Sequence, residues 1–593
     1  MPARQPSLLS QIGEDTGWRA LETLPVLDSR FRRLAFDSEW TGTDWRGEDK
    51  PVGYSFALED GRNFYLPIGH QGGGNLDAGL VHRWMRDNLK GKTIVTLSGK
   101  GDLNMSRKMG VDLEALGCKI NEVQHKAALL SDMRRSFKME DLAKDFLGKH
   151  KGEIERKDIW QLPASDVGPY AEQDARLTLE IDDALIPKIR EEQLERVLDL
   201  EDSLIWCTLE MERNGVPLNV NKLYRWKSEI NRRFEKIILL IAEGTGVKCN
   251  PNSANDLATL FGILGLTYHR TPPTLNYPNG QPSFTDEFLK SVKNEYVQLV
   301  REGRALDSLS SKYVAKYAKE LINGFLYYQL HQLKGDEYGT IAGRYSSSKV
   351  NIQQVFKPSK QFKKIGLTSY MIRELFEPAP GMLWLRADAS QIEFRGFVHY
   401  SKSERLIKIY NENPEADFHT EVSEICKIDR EPAKTINFLM LYGGGRDKLA
   451  FQLGLSRTES DIMYEEYCNR FPETRTLMDT VMSVAKNRGY VKTIMGRRAR
   501  FPNGERLHIA LNRVLQGTAA DIMKLKLLQA YNERKQLELT IRLTVHDELD
   551  GDVPGVEHGK RVKEMLESPI EGLGIRVPIL WETKTGANWG ACS

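Results

Sequence analysis

Two sets of carboxylates stand where a chain could work on phosphate esters. In the N-terminal third, Asp37 and Glu39 are two residues apart at the end of a strand-like run, so their side chains point to one face. Asp102 follows the short apolar run Thr93 to Leu97. Tyr170 and Asp174 are four apart in a helical pattern, again on one face. Four carboxylates brought together repel one another unless cations lie between them. Two Mg²⁺ ions about 4 Å apart would meet that charge and stabilise both oxygens of an in-line phosphodiester hydrolysis. Asp388 ends a second strand-like run, Leu383 to Ala387, and Asp547-Glu548 lies between apolar residues in a hairpin-like stretch. Taken singly, a strand-end acid is an ordinary solvated turn. The ordered set carries the weight.

A third feature is a helix face. Arg430, Lys434, Phe438 and Tyr442 recur every four residues, so all four project along one slowly drifting face. Asp429 is placed to cap this helix, Pro432 falls in its tolerant first turn, and Gly443-Gly-Gly445 ends it. A core stripe would be apolar throughout. A cationic half followed by an aromatic half suits a nucleotide, with Arg430 and Lys434 on phosphates and Phe438 and Tyr442 beside sugar and base.

These residues need a scaffold. The first ~185 residues read as α/β by their hydrophobic pattern. Arg33 to Asp37 reads as a buried strand, and Val52 to Leu58 with Asn63 to Ile68 as a hairpin. Helical patterns cover Glu140 to Leu147 and Pro169 to Leu185. Arg190 to Glu243 is long, charged and helical, broken at Asn214-Gly-Val-Pro217. Cys249 to Ser253 and Thr271 to Ser283 read as loops, and helices resume at Thr285. From Leu383 onward, strand-like and helix-like segments are expected to alternate to the C-terminus.

The N-terminal acids resemble the three motifs of DnaQ-like proofreading exonucleases, which have an RNase H-like fold. The resemblance implies one metal at Asp37, Glu39 and Asp174 and another at Asp37 and Asp102. Tyr170 and Glu39 would orient the attacking water. The second motif departs from the pattern. Ser98 and Gly101 stand where the family has Asn and an aromatic. That puts the grip on the substrate strand, and the strength of proofreading, in question.

The C-terminal two-thirds resembles the family A DNA polymerases, typified by bacterial DNA polymerase I. Asp388-Ala-Ser-Gln-Ile-Glu-Phe-Arg395 resembles motif A, the Arg430–Tyr442 helix motif B, and His546-Asp-Glu548 motif C. The resemblance implies catalysis by Asp388 and Asp547, with Glu548 secondary. Two Mg²⁺ ions, replaceable by Mn²⁺, would lie at Asp388, Ala389 and Asp547. Nucleotide binding falls to Arg430, Lys434, Phe438, Tyr442, His419, Gln391 and Glu393, the last excluding a 2′-hydroxyl. DNA contacts fall to Asn250 and Ser253 in a thumb loop, to Arg344 in Thr340-Ile-Ala-Gly-Arg-Tyr-Ser-Ser347, and to Asn512, Gln516 and His546. Minor-groove acceptors sit at nearly the same place in every correct base pair, so Arg344, Gln516 and His546 are suited to test pairing geometry. Ala389 and His508 resemble lytic-phage replicative enzymes. No 5′-nuclease domain is expected.

The expected architecture is multidomain, α/β then α+β. An RNase H-like exonuclease domain (1–187) is followed by a right-hand polymerase. Its parts are palm entry and thumb (188–330), palm with motif A (331–400), fingers (401–499) and palm with motif C (500–593).

Composition is compatible with this. A chain of 593 residues, 40% hydrophobic and 28% charged, suits several soluble domains. The longest apolar run, Ile237 to Ala242, is too short to cross a bilayer, and no secretory signal is evident. Six dispersed cysteines with no Cys-x-x-Cys argue against a zinc module or disulfide framework. They fit a reducing compartment, the cytoplasm of a host cell. A net charge of +2 decides nothing, because a polymerase must balance DNA-binding cations against metal-binding acids. Expected partners are primer–template DNA and dNTPs, with helicase, primase or single-stranded-DNA-binding protein. A monomer without membrane contact is expected. Three other readings stay open: a nuclease whose polymerase half only binds DNA, a single-subunit RNA polymerase, and a polymerase with an inactive exonuclease domain. The pair Asp388 and Asp547 speaks against the first. Glu393 and the N-terminal acids speak against the second. Ser98 and Gly101 keep the third alive.

Overall fold

A computed structural model describes residues 17–151, 158–335, 339–355, 371–426 and 428–593. The N-terminal sheet has five strands: β1 (Arg33–Trp40), β2 (Pro51–Leu58), β3 (Asn63–Pro67), β4 (Thr93–Thr96) and β5 (Lys119–Glu122). Their order is β3-β2-β1-β4-β5, with β1 antiparallel to β2 and parallel to β4. β1 runs three residues beyond its expected end, so Asp37 and Glu39 lie inside the central strand. Helix α1 (Lys100–Lys108) carries Asp102, and α2 (Ala164–Glu191) packs across β1, β2 and β3 with Tyr170 and Asp174. No side chain of its own caps α1. Instead Glu122, at the end of β5, accepts hydrogen bonds from Ser98 N (2.6 Å), Gly99 N (2.9 Å) and Thr96 Oγ1 (3.0 Å). A buried carboxylate from the neighbouring strand thus takes up donors that a helix start leaves orphaned.

Helix α3 (Glu195–Asn214) leads out of this domain. It stops at Gly215, whose φ of +55° a side chain would strain, and the chain then re-enters α4 (Val220–Thr245). Helix α5 (Glu295–Leu309) packs on α4. The C-terminal sheet contains β6 (Leu383–Ala389), β7 (Thr540–Val545), β8 (Glu548–Val553) and β9 (Trp581–Gly586). The order is β7-β8-β6-β9, and every neighbour is antiparallel. The strands therefore come from segments more than 150 residues apart, as expected for a palm assembled from separate pieces.

The expected alternation of strand and helix after Leu383 does not hold. From α6 (Ile392–Ser401) through α7 (Arg430–Leu441) to Arg488 the described chain is helical, and α8 (Ala510–Leu537) follows a short hairpin. Tyr-, Ile- and Phe-containing segments there bury one helical face in a shared core that includes Phe397, Tyr410, Leu439 and Tyr467. Strand preference of such residues yields readily to packing context. No described helix is long and apolar enough to cross a membrane.

A buried charge network joins α3 to the C-terminal half. Glu201 is 0% exposed and accepts from Lys524 Nζ at 2.7 and 2.8 Å and from Arg497 Nη2 at 2.6 Å. Arg497 also pairs with Asp521 at 3.0 Å. Burial works to raise the Glu201 pKa, but Lys524 and Arg497 outweigh it and hold it at about 2. Glu201→Gln is expected to destabilise the protein by about 3 kcal/mol, because two buried cations lose counter-charge. A depressed carboxyl contributes stability above its ordinary pKa and loses it as pH falls through the folded value. The melting temperatures of wild type and variant should therefore converge as pH drops from about 5 toward 2. A gap that stays constant over that range would contradict the assignment.

Candidate active sites

In the N-terminal sheet, Asp37, Glu39 and Asp174 offer ligand atoms that all lie within 4.8 Å of one another. Asp102 stands beside this group rather than within it. Its Oδ1 accepts from Ser38 N (3.1 Å) and Ser38 Oγ (2.6 Å). Burial, then the neighbouring Asp102, Glu39 and Asp174, pushes the Asp37 carboxyl well above the usual range. Burial, partly offset by the Ser38 hydrogen bonds, pushes Asp102 up to about 7. Acids that raise one another in this way suit divalent cations, which relieve the repulsion. Tyr170 and Asp174 share one buried face of α2. Lys151 is an unforeseen neighbour. Its Nζ lies 2.5 Å from Asp174 Oδ2 and 4.7 Å from the Tyr170 ring centre. No spacing or motif around Lys151 pointed to it.

The two departures in the second motif have local explanations. Ser98 adopts φ +68° and gives its N–H to Glu122. At Gly101, an added Cβ would come within 2.4 Å of Trp40 Cη2, so the Trp40 indole already fills the space next to Asp102.

In the C-terminal sheet, β6 and β8 set Asp388 opposite Glu548, and Ala389 N donates to Asp547 O at 2.9 Å. Asp388 and Asp547 are thereby held at the same end of adjoining strands. Asp388 Oδ2 accepts from Arg386 Nη2 at 2.6 Å, and Asp547 Oδ1 from Arg344 Nη2 at 3.3 Å. Glu548 lies across the sheet from Asp388. It is buried, with Oε1 taken by Arg373 Nη1 (2.8 Å) and Trp589 Nε1 (2.6 Å) and Oε2 facing Arg386 Nε (2.9 Å). Its charge braces Arg386 behind Asp388. Arg386 was legible in principle, two residues before Asp388 on the same strand face. Arg373 and Trp589 were not. Gln353, also unforeseen, donates Nε2 to Thr544 O (2.6 Å) and accepts from His546 N (3.1 Å), pinning the turn before Asp547. His546 itself is exposed at φ +56°.

The α7 face meets this site. Glu393 is 7% exposed and accepts from Arg344 Nη2 (2.6 Å) and Tyr442 Oη (2.8 Å). Phe438 and Tyr442 are half-buried with ring centres 5.7 Å apart, and Phe394 lies 5.2 Å from Phe438. Lys434 is exposed. Arg430 pairs with Asp417 at 2.6 Å. Asp429 occupies the N-cap position, but contrary to expectation its side chain makes no capping hydrogen bond. His419 is buried edge-on against Phe394, with Nδ1 3.0 Å from Asn437 Nδ2. Burial pushes its pKa down to about 4. Gln391 is engaged by the chain itself. Its Oε1 accepts from Phe418 N (3.1 Å) and Tyr410 Oη (3.3 Å), and its Nε2 donates to Ala416 O (3.3 Å), so its amide holds the segment that carries His419.

Gln516 and Asn512 are partly exposed on α8. Asn250 is exposed, and Ser253 caps the helix Ala254–Ile263 by accepting from Asp256 N at 3.2 Å.

Comparison with known proteins agrees with this geometry. Residues 220–591 match the family described as DNA polymerase family A, and residues 20–190 match the one described as 3'-5' exonuclease. A DNA polymerase DpoZ of Salmonella phage PMBT28 is 28% identical over 93% of this chain and 95% of that protein. DNA polymerase I of Pseudomonas aeruginosa is 27% identical over 98% of this chain and 65% of its own length. The POL domain of Pol1 from M. smegmatis, in complex with DNA primer-template and dNTP, shares the fold. It superposes with a TM-score of 0.79 at 22% identity, over 97% of this chain and 99% of that one. Two acid clusters on two sheets, with a cationic and aromatic helix facing the second, thus coincide with two family matches, and the chain belongs to the family A DNA polymerases with a 3′–5′ exonuclease domain on its N-terminal side.

Proposed function

We propose that the chain copies a DNA template by adding dNTPs to a primer 3′-hydroxyl and proofreads by excising mispaired 3′ ends in its N-terminal domain. The observation that carries this reading is the Ala389–Asp547 hydrogen bond, which registers Asp388 and Asp547 at one end of adjoining strands. Mg²⁺, replaceable by Mn²⁺, fits both acid groups: two ions at Asp388, Ala389 and Asp547, and two at Asp37, Glu39, Asp102 and Asp174. Bound there, the ions supply charge neutralisation and a lowered pKa for the attacking oxygen.

The chain's own residues do the positioning. Arg430 exchanges Asp417 for the incoming phosphates, with Lys434 and His419 beside it. Phe438 and Tyr442 bound the sugar and base. Glu393, fixed by Arg344 and Tyr442, stands against a 2′-hydroxyl and favours DNA over RNA. Arg344, Gln516 and His546 test the minor groove, Asn512 contacts the template, and Asn250 and Ser253 grip backbone phosphate. In the exonuclease, Tyr170 and Glu39 orient the water. Glu548 acts through Arg386, and Gln391 through the segment before His419.

The working parts follow one another as exonuclease, palm entry and thumb, palm, fingers and palm. The expected edges at 187 and 400 fall inside α2 and α6, so these two divisions move to the helix ends at Glu191 and Ser401. The setting that fits best is phage DNA replication by a monomer in the host cytoplasm, alongside helicase, primase or single-stranded-DNA-binding protein.

Primer extension on a defined template in Mg²⁺ and dNTPs, from matched and mismatched 3′ ends, tests the reading. Extension from both is expected, with excision preceding extension at the mismatch. Unprimed RNA synthesis from rNTPs alone would overturn it. A finer test uses the nucleotide face. Phe438 carries no hydroxyl to stand in for a missing 3′-OH, so dideoxynucleotides should be poor substrates. Phe438→Tyr should raise the ddNTP:dNTP incorporation ratio by about tenfold or more, the worth of one hydrogen bond. An unchanged ratio would remove Phe438 from the sugar.

A further inference from the structure

The Trp40 indole lies in an unusual place. β1 changes register between Glu39 and Trp40: Glu39 pairs with Gly53, but Trp40 pairs with Pro51. Irregularities of this kind often re-aim a side chain beside an active site. Trp40 Nε1 donates to Ser38 Oγ at 2.6 Å, and Ser38 Oγ donates to Asp102 Oδ1 at 2.6 Å. The ring is therefore anchored, through one serine, to Asp102, the carboxylate beside the acid cluster. It remains partly exposed.

Gly101 shows what the ring displaces. This residue lies in the first turn of α1 with no positive φ, so the backbone does not demand glycine. The demand comes from Trp40, whose Cη2 would be 2.4 Å from a Cβ at position 101 and whose Cζ2 would be 2.9 Å away. A ring wedged only for packing would bury both faces. Here the polar edge is tied to the acids while part of the surface stays open to solvent. Anchored, partly exposed aromatics are what single-stranded nucleic acid stacks upon.

We propose that Trp40 is a positioning residue of the exonuclease, stacking on the 3′-terminal base of the entering strand, and that Gly101 is the space this ring requires. The proposal rests on the exonuclease reading of residues 20–190. A missing aromatic before Asp102 is, on this account, a relocated platform and not a lost one. Because any base offers a π-face, the platform selects for an unpaired end and not for a sequence.

The test uses the full chain and a single-stranded oligonucleotide with 2-aminopurine at its 3′ end. In Ca²⁺, with hydrolysis suppressed, wild type should quench the probe on binding, and Trp40→Ala should relieve the quench. In Mg²⁺, Trp40→Ala should raise KM for excision by about 5- to 150-fold, the range for losing one base–aromatic stack, with kcat moved far less. Trp40→Phe keeps a ring but loses the Ser38 anchor, and should stay within about threefold of wild type. Trp40→Ala/Gly101→Phe returns a ring from the helix side and should recover most of the KM. Primer extension by each variant monitors folding. Trp40→Phe behaving like Trp40→Ala, or equal quenching by wild type and Trp40→Ala, would overturn the proposal. If wild type degrades DNA no faster than Asp37→Ala/Glu39→Ala, the exonuclease reading itself falls, and the fluorescence comparison alone then decides Trp40.

Discussion

Asp547→Ala is expected to lower single-turnover primer extension by about a thousandfold or more while leaving the fold and the excision of single-stranded DNA intact. A metal-binding carboxylate is worth several kcal/mol of transition-state charge stabilisation, and about 4 kcal/mol is a thousandfold. The loss should be confined to chemistry because Asp547 supports little else. Its backbone, not its side chain, bonds Ala389, and that hydrogen bond survives the substitution. Arg344, the partner of its side chain, keeps the shorter ion pair with Glu393 at 2.6 Å. No buried charge is stranded. Glu548, one residue on, is the opposite case: removing it would leave Arg373 and Arg386 without their buried partner, so Glu548→Ala would confound stability with rate. Extension by Asp547→Ala within tenfold of wild type, measured at saturating Mg²⁺ and dNTP, would sink the two-aspartate reading. An unchanged melting temperature is the accompanying control.

The comparison between Asp547 and Glu548 also shows what a sequence reveals. The two strand-end aspartates were legible because each follows an apolar run and the runs must pair to be buried. The four-residue spacing of Arg430, Lys434, Phe438 and Tyr442 was legible because helical geometry alone puts them on one face. The role of Glu548 was not, since its partners Arg373 and Trp589 come from outside its own hairpin. The contacts of Gln391 were hidden for a related reason. It sits beside motif A, yet its amide is consumed by a loop that only tertiary contact brings near. Lys151 and Glu122 carried no pattern at all. Gly101 is the most instructive. Read along the chain, it registers as an aromatic lost. Read in space, the ring arrives from residue 40, on a different element. Sequence spacing reports neighbours along an element well and neighbours across elements poorly.

That spatial reading raises the expectation for the exonuclease. Asp37→Ala/Glu39→Ala should reduce excision of single-stranded DNA by about a thousandfold or more, with primer extension from matched ends unchanged. These two acids and Asp174 converge within 4.8 Å, so the double variant removes most of the negative charge that a cation could meet there. What remains is a poor metal site: Lys151, 2.5 Å from Asp174, neutralises the surviving acid and opposes a divalent ion. Asp102 stands beside the three converging acids, so with Asp174 it leaves only two carboxylates, one of them paired with Lys151. The fold should tolerate the change. Burial with like-charged neighbours already makes the ionised form of Asp37 unfavourable, so deleting it relieves repulsion instead of stranding a partner. Equal excision by wild type and the double variant would mean that the site is a preserved scaffold without activity, the outcome that Ser98 and Gly101 first suggested. A mismatched primer terminus sharpens the contrast. Wild type should extend it after excision, whereas the double variant must extend the mispair directly and should stall.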